Sequence, residues 1–121
     1  MKNPLFWLLF LGLVFIFLRW RSGTGTVPQA MLQEQLQKGA LVLDVRTTAE
    51  FASGHYPGAV HIPVSDLADR LSELGDKNRA VVVYCRSGAR AGQACSLLKK
   101  AGWLHVTNAG GLDNLPAAGG P

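Results

Sequence analysis

The stretch VVVYCRSGARAGQA, residues 81–94, sets a cysteine, two arginines, a serine and two glycines directly behind a β-branched apolar run. The run reads as a buried strand and ARAGQA as the opening of a helix, so Cys85 falls at the strand's carboxyl end, as the first residue past it. A short loop that enters a helix turns successive backbone N–H groups inward as an anion nest, and the helix dipole adds positive potential at the same place. Ser87, Gly88 and Ala89 are small enough to allow that tight path. Arg86 and Arg90 bring full positive charges close by. All of these favour thiolate over thiol, and the chemistry expected of Cys85 is that of a reactive sulfur nucleophile that meets anions.

The other candidates read as structural. Cys95 falls inside the helical pattern beside Ala94 and Leu98, where a cysteine packs as a small hydrophobe. Two cysteines make no disulfide framework. His55 and His61 flank a PGA turn, and His105 reads as a strand residue. Three separated histidines and two cysteines have no metal-ligand spacing, so neither a metal nor a cofactor is expected.

Elements that could position Cys85 follow from periodicity. Residues 28–38 carry Met31, Leu32 and Leu36 at helical spacing, with Pro28 at the first helical position and Gly39 as a stop. ALVLDV, 40–45, is continuously apolar up to its aspartate, as in a strand covered on both faces. TTAEFASG reads as a short helix capped by Thr47 or Thr48 and closed at Gly54. PGAVHIP is a turn and short strand, and SDLADRLSEL, 65–74, a helix presenting Leu67, Leu71 and Leu74. ARAGQACSLLKKAG continues as a helix with Lys99 and Lys100 in its last turn and Gly102 as its stop. LHVTNA is a last strand, and GGLDNL a helical turn. The alternation predicts an α/β fold, a small parallel sheet wrapped by helices.

The N-terminus reads differently. Residues 5–18 are free of charge and lie between Lys2 and the Arg19–Trp20–Arg21 cluster. Fourteen helical residues span about 21 Å, short of a hydrocarbon core of about 30 Å, so a crossing must recruit flanking residues and let the arginines snorkel. A cleaved signal peptide needs small residues where the two arginines stand. The reading is therefore a single-pass anchor or signal-anchor at 1–21 in the plasma (inner) membrane, then a tether at 22–27, a domain at 28–117 and a tail at 118–121. Two arginines against one lysine put the domain on the cytoplasmic face, with an exported, periplasmic domain as the alternative. Without Lys2, Arg19 and Arg21, nine basic residues face eight acidic ones, which leaves no electrostatic footprint for nucleic acid.

LDVRTTAEFASGHYPGAVHIP, 43–63, and VVVYCRSGARAGQACSLLKKAGWLHVTNAGGL, 81–112, resemble the single-domain rhodaneses, the sulfurtransferase superfamily. YCRSGARAGQA and NAGGL are similar to the small phage-shock-protein E type of that family, which also ends soon after its paired glycines. The resemblance implies a thiosulfate sulfurtransferase, in which Cys85 takes sulfane sulfur from a thiosulfate-like donor as a persulfide. A thiol or cyanide then accepts that sulfur. It further implies that residues 86–90 bind the donor, that Arg86 and Arg90 draw in the dianion, and that Asp44 and Arg46 brace the loop from the neighbouring strand end. Glu50 joins them in a salt-bridged frame. Related phosphatases and arsenate reductases need Cys-x5-Arg, whereas here the sixth residue after Cys85 is Ala91 and the arginine comes one residue earlier. A persulfide carrier without turnover, or a membrane-tethered binding module, is the other alternative.

Overall fold

The structure, a computed structural model, describes residues 4–21 and 27–116, with the backbone alone over 15–21. Most of the expected tether, 22–26, and the tail with residue 117 lie outside the described residues, as do the side chains of Arg19 and Arg21.

Four parallel strands form one sheet: β1 (Leu41–Asp44), β2 (Val60–His61), β3 (Val81–Cys85) and β4 (Val106–Gly111), in the order β2-β1-β3-β4. Parallel strands need crossovers on the sheet faces, and the long strands are correspondingly buried at every position of β1 and β3. Side chains alternate between faces along a strand. Leu41, Leu43, Val81, Val83 and Cys85 therefore join one core with Leu67, Leu74, Leu98 and Trp103. Val42, Val82 and Tyr84 join the other with Leu32, Ala109 and Leu115.

The helices beyond the N-terminal segment are α2 (Gln29–Gln37), α3 (Thr48–Ser53) and α4 (Ala89–Lys100). Pro28 is the cap of α2, one residue ahead of the expected position, and Met31 is exposed while Leu32 is buried. Gly102 follows the end of α4 with φ 105°, a left-handed conformation that favours glycine. The expected helix over 65–74 is two 3-10 turns, Val64–Asp69 and Leu71–Leu74, broken at Arg70 with φ −122° and ψ 20°. A 3-10 turn rises about 2 Å per residue against about 1.5 Å for an α-helix. The stretched path delivers Leu67 and Leu74 to the core, both almost fully buried.

The N-terminal apolar block forms α1 (Pro4–Arg21), and its large residues from Leu5 to Leu13 are exposed. The expected transmembrane helix is not supported, since among the described residues no helix is long and apolar enough to cross a membrane. The physical reason is length: the apolar block, residues 5–18, has only fourteen residues, about 21 Å of helix.

Strand β2 lies on one side of β1 and β3 on the other, so the chain reverses its direction of winding at β1. In open parallel sheets the crevice outside the carboxyl ends of the strands at such a reversal is where ligands bind. Asp44 and Tyr84, the paired residues there, stand directly before Val45 and Cys85.

Candidate active site

Cys85 is the last residue of β3, paired with Gly111 of β4, rather than the first residue beyond the strand. Its side chain is 1% exposed and lies in the core cluster, so the sulfur is enclosed at the base of the loop. Residues 86–88 then reverse the chain into α4. Gly88 makes that reversal with φ 101°, and its N–H donates to Cys85 Sγ at 2.9 Å. Burial pushes the thiol up, but the N–H groups of Ala91, Gly88, Ser87 and Arg90 outweigh it and hold Cys85 below the ordinary thiol range. The positive end of α4 acts in the same direction. Enclosure and a lowered thiol coexist because the loop's own amides take the place of water.

The two arginines behind Cys85 are not equivalent. Arg86 is exposed and makes no ion pair among the described residues. Arg90 is held by Glu50 of α3, Nη1 to Oε1 at 2.6 Å and Nη2 to Oε2 at 3.0 Å, so the two cations expected near Cys85 differ in their pairing. The Arg90 guanidinium, with help from the Thr47 donors, holds the Glu50 carboxyl at about 2. Ser87 and Ala89 are exposed, and Gly88 is half-buried.

Glu50 is itself placed by local sequence. Thr47 is the cap of α3: its hydroxyl accepts the Glu50 N–H at 3.2 Å, while Glu50 Oε1 accepts the Thr47 N–H at 3.2 Å. This capping box, Thr-x-x-Glu, decides between the two candidate threonines, since Thr48 has no glutamate at the matching position.

Asp44 and Arg46 form a buried frame at the end of β1. Asp44 is fully buried and accepts from Arg46 N at 2.9 Å, from Arg46 Nη2 at 2.7 Å and from the Tyr84 hydroxyl at 2.6 Å. Arg46 also donates to the carbonyl of Gly54 at 2.6 Å, and the Tyr84 hydroxyl accepts the Tyr56 N–H at 3.0 Å. Burial alone raises the Asp44 carboxyl, yet the Arg46 and Tyr84 donors hold it below the usual carboxylate range. Burial, with the hydrogen bond to Asp44, pushes the Tyr84 phenol up to about 12. The frame ties β1, the α3 exit and β3 together one residue before the nucleophile.

Residues 28–115 match the rhodanese-like domain family, nearly three quarters of the chain. The chain belongs to that family. Thiosulfate sulfurtransferase PspE of Escherichia coli is 39% identical over 74 residues, 60% of this chain and 71% of that protein. A sulfurtransferase of Allochromatium vinosum is 47% identical over 68 residues, 56% of this chain and 63% of its own length. Among solved structures, a rhodanese with anions from E. coli superposes with a TM-score of 0.62 at 36% identity, covering 65% of this chain and 94% of that one. The human single-domain sulfurtransferase TSTD1 gives 0.61 at 28% identity, covering 73% and 92%.

This rhodanese-like domain also uses residues to which sequence reasoning assigned no role. Asn108 of β4 donates through Nδ2 to the carbonyl of Gly88 at 3.0 Å and accepts the Gly110 N–H on Oδ1 at 2.8 Å. A Cβ at Gly111 would stand 2.5 Å from the carbonyl oxygen of Arg86, so only glycine lets β4 approach the cysteine loop. The signal was present as an asparagine two residues before paired glycines at a strand end. His55 and His61 stack on either face of the Phe51 ring, with centroids at 3.7 and 4.4 Å, and bond to the carbonyls of Phe51 and Arg46. His105 is exposed and immediately precedes β4. Among the described residues no group of acidic, histidine or cysteine side chains could hold a metal ion.

Proposed function

We propose that this rhodanese-like domain is a thiosulfate sulfurtransferase with Cys85 as its nucleophile. The Cys85 thiolate attacks the outer sulfur of thiosulfate. The sulfur–sulfur bond of the donor breaks, its electron pair leaves with sulfite, and Cys85 retains one sulfur as a persulfide anion. A thiolate or cyanide then attacks that outer sulfur, departs as a new persulfide or as thiocyanate, and restores the Cys85 thiolate. The N–H groups that favour the thiolate suit the persulfide equally, because both are anions on the axis of the same loop. Residues 86–90 bind the donor, with Arg86 as the open cation, and Asp44 and Arg46 keep the loop in place.

The observation that carries this reading is the Gly88 N–H at 2.9 Å from Cys85 Sγ in a loop whose amides hold the thiol below its ordinary range. The test is thiosulfate-to-cyanide transfer together with the mass of the Cys85 peptide after thiosulfate treatment. Thiocyanate production and one added sulfur on Cys85 are expected, and a Cys85→Ser protein with full activity ends the proposal. Added sulfur without turnover identifies a carrier instead. Hydrolysis of an aryl phosphate is expected to be absent, because Ala91 stands where the phosphatase loop needs its arginine.

We propose, on the sequence reading and on the exposed apolar surface of α1, that α1 holds the domain at the plasma (inner) membrane with Cys85 on the cytoplasmic side. Water disfavours so large a contiguous apolar surface. Fractionation of cells producing the full chain tests the association, and labelling of Cys85 in intact cells against inverted vesicles tests the side.

A further inference from the structure

We propose that Glu50 is a specificity-determining residue, one that offsets the charge of Arg90 and so narrows the advantage that the Cys85 loop gives dianionic sulfane-sulfur donors over singly charged ones. The proposal rests on the sulfurtransferase reading above. Its geometry is the bidentate pair: both Glu50 oxygens are taken by Arg90, at 2.6 and 3.0 Å. Glu50 Oε1 also accepts the Thr47 hydroxyl at 3.1 Å, which ties the carboxylate to the cap of α3. Arg90 occupies the first turn of α4, the turn that supplies amides to Cys85, and its charge is felt at the sulfur. Arg86 is left as the one arginine of the loop without an ion-pair partner among the described residues.

The consequence follows from charge alone. Two open guanidinium groups attract a dianion twice as strongly as a monoanion, and cancelling one of them removes twice as much attraction from the dianion. Glu50 therefore acts through Arg90, as a positioning and charge-setting group rather than a catalytic one. The donors that gain by comparison are the monoanionic persulfides and thiosulfonates.

Thiosulfate and methanethiosulfonate test this, because they share a sulfonyl sulfur bearing the transferable sulfur and differ by one charge. With either donor the Cys85 thiolate takes the outer sulfur, the donor's sulfur–sulfur bond breaks, and the electron pair leaves with sulfite or methanesulfinate. Cyanide then removes the sulfur as thiocyanate. In Glu50→Gln the ratio of kcat/KM for thiosulfate to that for methanethiosulfonate is expected to rise roughly three- to tenfold at low ionic strength, and the rise should shrink as salt screens it. Glu50→Asp, which keeps the charge, should stay near the wild-type ratio. The double variant Glu50→Gln/Arg90→Gln, which removes both charges, should return toward it.

A second readout needs no sulfur transfer. The rate of Cys85 alkylation by anionic iodoacetate, relative to neutral iodoacetamide, should rise in Glu50→Gln and return in the double variant. An unchanged donor ratio in a Glu50→Gln protein that turns over both donors overturns the charge offset and leaves the sulfurtransferase reading intact. A wild-type chain that uses neither donor overturns the donor preference together with that reading.

Discussion

Cys85 and Cys95 are both free, both buried and both part of the same core cluster, yet their thiols are displaced in opposite directions. Burial pushes Cys95 up to about 11, and the one nearby cation, Lys99, does little against it. Cys85 is likewise shut off from solvent and still lies below the ordinary range, because four backbone amides converge on its sulfur. Enclosure therefore does not decide reactivity here. What decides it is whether the enclosing atoms are hydrogen-bond donors or methyl groups. Cys95 sits in mid-helix, where the backbone N–H groups are already committed to carbonyls, whereas Cys85 faces the first turn of α4, where they are not.

The largest test of this contrast is to remove each sulfur. Cys85→Ser should lower sulfur transfer by roughly a thousandfold or more, since a hydroxyl at this site is not ionised and cannot hold a persulfide. Asp44→Asn comes next, because it leaves Arg46 charged and buried without its partner. Chemical denaturation should show a loss of about 3–5 kcal/mol, with a loosened Cys85 loop in the protein that remains folded. Gly111→Ala forces a methyl group against the Arg86 carbonyl, and overpacking of this kind costs about 1–3 kcal/mol. Its distinctive sign should be slower alkylation of Cys85 with Cys95 unchanged.

The pH dependence separates the two thiols directly. Alkylation of Cys85 should reach half its maximal rate below pH 9, while that of Cys95 should keep rising toward pH 11 even where the fold admits reagent. Glu50 adds a window on the acid side. Its folded value of about 2 lies below its ordinary 4.5, so the Glu50–Arg90 pair stabilises the fold above pH 4.5 and loses that contribution as pH falls toward 2. Acid titration of the Glu50→Gln variant should lack this component. Smallest of all, Cys95→Ala should cost about 1 kcal/mol of stability and leave sulfur transfer within about twofold, as for a core residue that loses one heavy atom.

Much of the architecture was legible in local pattern. The apolar strands around 41–43 and 81–84, the helix after Cys85 and the stops at Gly39, Gly54 and Gly102 follow from periodicity and turn chemistry, which act within a few residues. The segment 65–74 misled because leucines at 67, 71 and 74 suit a helical face, and only the distance to the core selects the stretched 3-10 path. The 5–18 block is a different case: its hydropathy is unmistakable and its shortness is equally plain in the sequence, and among the described residues no helix is long and apolar enough to cross a membrane.

The sequence by itself determined which sulfur is surrounded by amides, because a strand end, a small-residue loop and a helix start are local features and their order along the chain puts Cys85 among them. Tertiary structure alone decided which arginine stays open. Glu50 and Arg90 are 40 residues apart, and Asn108 reaches Gly88 across 20. Such partners meet only when the parallel sheet brings β1, β3 and β4 side by side, and no propensity or periodicity encodes the distance between side chains that the sheet alone makes neighbours.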